Sequence, residues 1–294
     1  MILECLPYIR TMIWGQERWL VSNMPQRESR FANPELKNCT LSQLITHPFP
    51  LLIKHLTTHA PLSIQVHPSD TFAQQHGETF GKTEMWYALQ CDSNAELLVG
   101  LKHHLTPHTL VEHAQDGTIL SDLQHYTVHE EDCFFLPAGR IHAIGSGCQL
   151  IEIQQPSDIT YRLYDYHRLD NNGQPRPLHT ALAQDCIDYT VYPDYQTHYQ
   201  RLINTPITLA QCPYFETKLY HLTQPLYIDW TLQDRFLVVV ITKGKGTLTV
   251  DDEQRLICEG QTFLLPASTQ HIHLAPTSYP LPTTHTLSFL TITS

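Results

Sequence analysis

The chain has 294 residues, 41% hydrophobic and 16% charged, so it can build one large or two medium packed domains and is too apolar for a disordered segment. Its 18 basic and 29 acidic residues leave a net charge of −11, without the basic footprint that nucleic-acid binding needs. The longest aliphatic or aromatic run, residues 236–241, falls far short of the roughly 20 residues that cross a bilayer. The opening MILECLPYIRTMIW also lacks the basic-then-apolar order of a secretory signal, so neither a membrane partner nor export is expected.

A short helix is predicted around residues 41–46. Leu62-Ser63-Ile64-Gln65-Val66-His67 alternates strictly and stops at Pro68. That pattern predicts a strand with Leu62, Ile64 and Val66 on one face and Ser63, Gln65 and His67 on the other. Residues 84–89 read as the next strand, and period two places Lys82, Glu84 and Trp86 on one side. Thr106 followed by Pro107 is an N-cap with proline at the first helical position, predicting a helix to about Glu112. Residues 133–136 and 149–154 read as strands, with His142 opening another after Pro137-Ala138. Residues 165–194, rich in Asn, Asp, Tyr and Pro, read as a loop-rich connector. Strands then follow at 215–222, 236–242, 247–251, 262–265 and 287–292. Many short strands separated by proline and glycine turns predict a barrel or jelly-roll sandwich.

One segment repeats. DCFFLPAGRIH (132–142) matches QTFLLPASTQH (261–271), aligning Phe134, Leu136, Pro137, Ala138 and His142 with Phe263, Leu265, Pro266, Ala267 and His271. Two related β-domains are therefore expected, residues 1–205 and residues 206–294, with the second a structural unit that carries no metal. The eight cysteines are scattered without a CxxC pair, which predicts free thiols in a reducing cytoplasm. Of the 19 histidines most are surface or packing residues; His55 with His59, and His103 with His104, are weak metal signals, and His271 with His273 reads as an ordinary strand pair.

The chemistry concentrates in the first half. Gln65, His67, Glu84 and His142 offer two nitrogens and two oxygens, a set that suits Zn²⁺, with Mn, Fe, Co and Ni as competitors. Any one of these side chains alone reads more simply as hydrogen bonding in a barrel mouth.

LSIQVHPSD (62–70), GKTEMWYAL (81–89) and PAGRIHAIGSGCQLIEIQQPSDITYRLYDYHR (137–168), in this order and spacing, resemble the type I mannose-6-phosphate isomerases, above all their short bacterial form. IWGQERWLVS (13–22) and PFPLLIKHL (48–56) fit the same family, and the likeness runs from about residue 8 to 170 and continues weakly to the C-terminus. The resemblance implies a mainly β fold of two cupin-type jelly rolls with a few short helices. It implies one divalent metal, usually zinc, and an aldose–ketose isomerisation of mannose 6-phosphate and fructose 6-phosphate through a cis-enediol. Carried over by motif, the metal ligands are Gln65, His67, Glu84 and His142. Arg162, Lys82 and Glu152 are the catalytic candidates, and Lys54, Lys82, Asp158 and Arg162 the substrate-binding ones. Lys54, Lys82, Arg162 and Arg168 are the candidates for the phosphate. The chain departs from the family at Glu131-Asp132, where Gly-Asp is usual, at Ser69, which shifts an acidic residue, and at Ile144, where larger relatives carry tyrosine. The competing expectations are another metallo-cupin sugar-phosphate enzyme, an oxygenase, or a non-catalytic sugar-binding cupin.

Overall fold

Proline and glycine turns cut the chain into 22 short strands and five short helices among the described residues, which in this computed structural model are 1–37, 39–45, 48–170, 172–277 and 286–294. The fold is mainly β, as expected. The strands gather into two units: residues 9–19 with 52–197, and residues 1–8 with 20–51 and 198–294.

In the first unit a six-stranded sheet runs, in hydrogen-bonded order, Cys133–Leu136, Glu84–Cys91, Cys148–Gln154, Leu52–Thr58, Gly15–Val21 and Tyr8–Met12. A five-stranded sheet runs Tyr161–Tyr164, Ile64–Val66, His142–Ile144, Glu96–Leu101 and Leu123–Thr127. One buried cluster draws Leu56, Trp86, Phe134 and Leu150 from the first sheet and Leu97, Val99 and Ile144 from the second, so the sheets face each other across a shared core. The helices Pro107–Asp116, Ile119–Asp122 and Thr180–Cys186 cover the outer face of the five-stranded sheet, packing Leu110, Ala114, Ile119 and Ala183 on Ile64, Val66, Ala143 and Leu163. Because side chains alternate along a strand, burying Ile64, Val66 and Ala143 outward turns Gln65 and His142 inward. Leu62 departs from the expected alternation: the strand begins only at Ile64, and Leu62 packs with Trp14 and Leu56 instead.

In the second unit a seven-stranded sheet (Ile207–Gln211, Glu216–Leu222, Leu287–Thr293, Leu237–Lys243, Thr262–Leu265, Leu3–Leu6, Arg30–Phe31) faces a four-stranded one (Leu226–Asp229, His271–Pro276, Lys245–Val250, Glu253–Cys258). Leu3 pairs with Leu264 and Cys5 with Phe31. Residues 1–8 and 20–51, which a linear division at 205/206 leaves with the first domain, thus belong to the second unit. The physical reason is edge satisfaction: an open strand edge carries unpaired N–H and C=O groups, and the N-terminal strand supplies their partners.

The predicted strands at 133–136 and 262–265 coincide with the observed ones. The helix opened by Thr106 does so as expected, its Oγ1 accepting from Thr109 N at 3.1 Å, but runs on to Asp116, where Gly117 ends it. Of the helix predicted at 41–46, Leu41–Leu44 is helical and Thr46 lies outside the described residues. The connector at 165–194 contains the helix Thr180–Cys186, whose N-cap, His179, makes no side-chain capping bond and so left no start signal. No helix among the described residues is long and apolar enough to cross a membrane.

Gly100 carries a left-handed φ of +75°, and a Cβ there would stand 2.2 Å from the Tyr195 ring. Gly100→Ala is expected to destabilise the chain by about 2–4 kcal/mol, strain and overpacking together. Gly77→Ala, at φ +85° with open space around it, isolates the backbone part at about 1 kcal/mol. The urea midpoints of the two variants measure the difference.

Candidate functional site

Two rows of paired residues build the interior of the first unit. In the five-stranded sheet Arg162 pairs with Gln65, which pairs with His142. In the facing sheet Lys54 pairs with Glu152, Glu152 with Trp86 and Trp86 with Phe134. Side chains of directly opposed residues share a face, so each row is a line of functional groups about 4.8 Å apart, the strand spacing. The Trp86 ring meets His142 edge-on at 5.2 Å, joining the two rows. Glu84, two residues before Trp86, lies on the same face. His67 and Lys82 sit in the turns just outside the strands, tied by Gly139 N donating to His67 O (2.8 Å) and Lys82 N donating to Pro68 O (3.0 Å). Gly81 makes the second tie sterically feasible: a Cβ there would lie 2.5 Å from the Pro68 carbonyl oxygen.

His67, Glu84 and His142 form one fully buried group whose candidate ligand atoms lie within 4.8 Å of one another. His67 Nε2 is 3.6 Å from Glu84 Oε2, and His142 Nε2 is 3.4 Å from Glu84 Oε1. The His142 Nδ1 atom lies 2.8 Å from the Arg140 carbonyl oxygen, to which it donates, so Nε2 keeps its lone pair. His142 Nε2 and Glu84 Oε1 are both buried without a hydrogen-bond partner. Two lone pairs facing each other in a dry interior repel, and a cation between them removes the repulsion. The donor set of two imidazoles and a carboxylate therefore fits a divalent metal ion, with the Gln65 amide alongside in the same row as His142. Next to the triad stands the Lys82 ammonium, 2.7 Å from Glu84 Oε2 and 3.1 Å from His67 Nε2.

Burial holds both histidines in the neutral form that ligates metal: His142 is lowered to about 3, and His67 well below its ordinary value by burial and then by Lys82. Burial pushes Glu84 up, against the pull of Lys82. Glu152 is buried too, yet Lys54 at 3.0 Å and Lys82 at 3.9 Å outweigh that burial and hold its carboxyl below the usual range. Reciprocally, burial works against the charge of Lys54, but Glu152, Glu17 and Asp158 prevail and raise its pKa.

Beside the triad opens a pocket of about 270 Å³, with Lys82 both lining it and touching Glu84 and His67. Gln65, Lys54, Lys82, Glu152, Asp158 and Arg162, singled out from the sequence, all line it. Asp158 pairs with Arg10 (3.1 Å) and Lys54 (3.6 Å). The Arg162 guanidinium bonds neutral oxygens, donating from Nε to Ser63 Oγ (3.2 Å) and from Nη1 to the Pro177 carbonyl (2.8 Å), so among the described residues no bonded carboxylate neutralises it. Arg168, a phosphate candidate by sequence, is bound instead to Asp165 and to the Pro61 carbonyl and does not line the pocket. Arg10, Glu17 and Arg176 line it and were missed. For Glu17 a signal existed in IWGQERWLVS; Arg10 lies just ahead of that stretch, and Arg176 sits in the connector, held on Asp165 by two donors, with nothing in the sequence to mark it. Arg10, Lys54, Lys82, Arg162 and Arg176 outnumber Glu17, Glu152 and Asp158, so the pocket has a cationic excess inside a chain of net charge −11.

Comparison with known proteins agrees with this geometry. A family model described as the mannose-6-phosphate isomerase cupin domain matches residues 205–278. Mannose-6-phosphate isomerase ManA of Bacillus subtilis (strain 168) is 34% identical over 269 residues, 85% of this chain and 83% of its own. A mannose-6-phosphate isomerase of Streptococcus mutans is 30% identical, covering 85% of this chain and 82% of its own. The crystal structure of the mannose 6-phosphate isomerase from Bacillus subtilis superimposes with a TM-score of 0.84 at 27% identity, over 99% of each chain.

The neutral histidines set a pH dependence. His142, with a folded pKa of about 3 against an ordinary 6.5, contributes stability that is fully present above 6.5 and is lost as the pH falls toward 3, because only the unfolded chain takes up the proton. In the presence of a chelator the unfolding free energy should drop with falling pH in that window, and His142→Gln should reduce the slope by about 1.4 kcal/mol per pH unit. Denaturant titrations at pH 6.5, 5.5 and 4.5, from the upper edge of the window to roughly its middle, read the slope.

Proposed function

The chain belongs to the mannose-6-phosphate isomerase family, and on that footing we propose that it interconverts mannose 6-phosphate and fructose 6-phosphate in the pocket of the first unit. The observation that carries the reading is the buried His67–Glu84–His142 triad, with unbonded lone pairs, adjoining a pocket with excess positive charge. We assign one divalent cation, zinc, to these three residues and Gln65. When bound it supplies Lewis-acid polarisation of sugar oxygens, worth several kcal/mol.

The remaining steps fall to the protein. Aldose–ketose isomerisation moves a proton between C2 and C1, and negative charge develops on O1 and O2. Arg162 stands one strand from Gln65 and two from His142, and its fork, not neutralised by a bonded carboxylate, stabilises that charge and orients the hydroxyls. Lys82, between Glu84 and Glu152, is placed to hold and move the proton at the reacting carbons. A carboxylate held as acidic as Glu152 is a weak base, so its role is to position Lys54 and Lys82, and its bond from Trp86 Nε1 (3.2 Å) fixes it for that. Lys54 and Asp158 complete the sugar-facing wall, and Arg176, held rigid by Asp165, is the group for the phosphate. The second unit acts as a structural jelly roll without a metal, and the eight free cysteines support a cytoplasmic setting.

A coupled assay on mannose 6-phosphate, with and without chelator, tests the reading: turnover should be present and chelator-sensitive. His142→Ala should lose bound metal and turnover together. Arg162→Ala should keep the metal and lower kcat by about two to four orders of magnitude. A rise in KM alone would reassign the arginine to uniform substrate binding, and full activity in a metal-free variant would remove the metal from the reaction.

A further inference from the structure

The Glu84–Cys91 and Cys148–Gln154 strands carry more than the site. Their ladder runs from Gln154 opposite Glu84 at one end to Cys148 opposite Cys91 at the other. Both cysteines are free, and both face the shared core, Cys148 buried within it and Cys91 partly exposed at its border. Next in register Asp92 N donates to Gly147 O at 2.9 Å, which makes Cys91 and Cys148 a narrow, non-hydrogen-bonded pair of the antiparallel ladder. Cα atoms at such positions lie about 4.5 Å apart, at the short end of the range that a disulfide spans. Opposed Cβ atoms in such a pair sit at the close end of about 4.5–5.5 Å, at the long limit that a disulfide spans, so closure asks the two Cβ atoms to tilt toward each other by a fraction of an ångström with the strand separation kept. The bulge between Gln149 and Leu150, one residue away, provides the slack.

We propose that Cys91 and Cys148, directly opposed on neighbouring strands, are a reversible redox dithiol that takes a hydroperoxide as its oxidant. Cys91 is the attacking sulfur. It is the more exposed member, and the neighbouring Cys148 thiol holds its pKa below the ordinary thiol value against the opposing effect of burial, while Cys148, whose S–H has the Glu96 carbonyl oxygen as an acceptor at 3.8 Å, is pushed up by the same neighbour and by burial. The Cys91 thiolate attacks the terminal peroxide oxygen, the O–O bond breaks, and the alkoxide (or hydroxide, from hydrogen peroxide) takes up the proton that Cys91 released on ionising and leaves as alcohol (or water), giving the sulfenic acid. Cys148 sulfur then attacks Cys91 sulfur, the S–O bond breaks, and water leaves with the Cys148 proton. Two thiols lose two electrons in all, matched by reduction of the hydroperoxide. A crosslink that closes with some strain is readily reduced, so a dithiol reductant returns the starting state. The crosslink joins the two strands that position Lys82, Glu84, Trp86 and Glu152, at the end of the ladder away from them.

The test treats the intact chain with hydrogen peroxide, alkylates remaining thiols under denaturing conditions, and maps the peptides by mass spectrometry. The expected result is a peptide pair linked through Cys91 and Cys148 that separates after dithiol reduction, with the other six cysteines still alkylated. In Cys91→Ser the link should vanish and Cys148 should be recovered as an alkylated thiol. Over-oxidised Cys91 beside an alkylated Cys148 would overturn the proposal. So would two alkylated thiols at a peroxide dose that oxidises free cysteine in the same tube. Both readings come from the unaltered chain and are independent of isomerase turnover.

Discussion

Charge placed where water cannot reach governs the first unit. Lys54, Lys82, Glu84 and Glu152 are all buried, and each is stable there only because an opposite charge stands beside it: Lys54 on Glu152 at 3.0 Å, Lys82 on Glu84 at 2.7 Å and within 3.9 Å of Glu152. Desolvating an ion costs several kcal/mol, so such a set persists only with fixed geometry, and removing one partner leaves the other uncompensated. The two sheets supply the geometry. Lys54 and Glu152 are held opposite each other by strand register, and Trp86 Nε1 takes up another Glu152 lone pair. Against this balanced background the facing lone pairs of Glu84 and His142 are the unbalanced feature, and they locate the cation.

The same balance explains how an acidic chain keeps a pocket with an excess of positive charge. Net charge acts over the surface and is screened within about a Debye length, whereas the pocket's field is set by the groups that line it. Asp165 lies behind Arg176 rather than in the pocket, so it fixes that guanidinium without placing a carboxylate among the lining groups. Among the described residues the Arg162 guanidinium bonds the neutral oxygens of Ser63 and Pro177, so no bonded carboxylate offsets its charge.

What the sequence made legible follows from range. Gln65, His67, Glu84 and His142 stand in strand-and-turn motifs whose alternation is local, and the structure brings the last three together within ligand distance. The helix capped by Thr106 and the strands Cys133–Leu136 and Thr262–Leu265 carry their own start and stop signals. Leu3–Leu6 and Arg30–Phe31 do not: the first is a strand because a distant edge at Thr262–Leu265 accepts it, the second because Leu3–Leu6 accepts it in turn, and no local pattern records that. Arg176 is similar, since its place in the pocket comes from Asp165, eleven residues earlier, rather than from any periodicity. Glu152 was legible as a position but not as a role, because the two lysines that depress it come from other segments, one of them in a different strand.

The repeated strand, Pro-Ala turn and histidine show where backbone and chemistry part company. His142 and His271 both open a strand after the same turn, and Phe134 and Phe263 are both buried. Yet His142 faces the interior across from Gln65 with its Nδ1 on the Arg140 carbonyl, whereas His271 is exposed, opposite Asp229, with its Nδ1 on the Tyr227 hydroxyl at 2.7 Å. The shared motif specifies a turn and a strand start. Ligation needs in addition a lone pair aimed inward and a carboxylate on the facing sheet, and among the described residues only His67, Glu84 and His142 form a group of that kind. A histidine in a jelly-roll hairpin thus becomes a candidate ligand by virtue of its cross-strand and cross-sheet neighbours, which His142 has and His271, among the described residues, lacks.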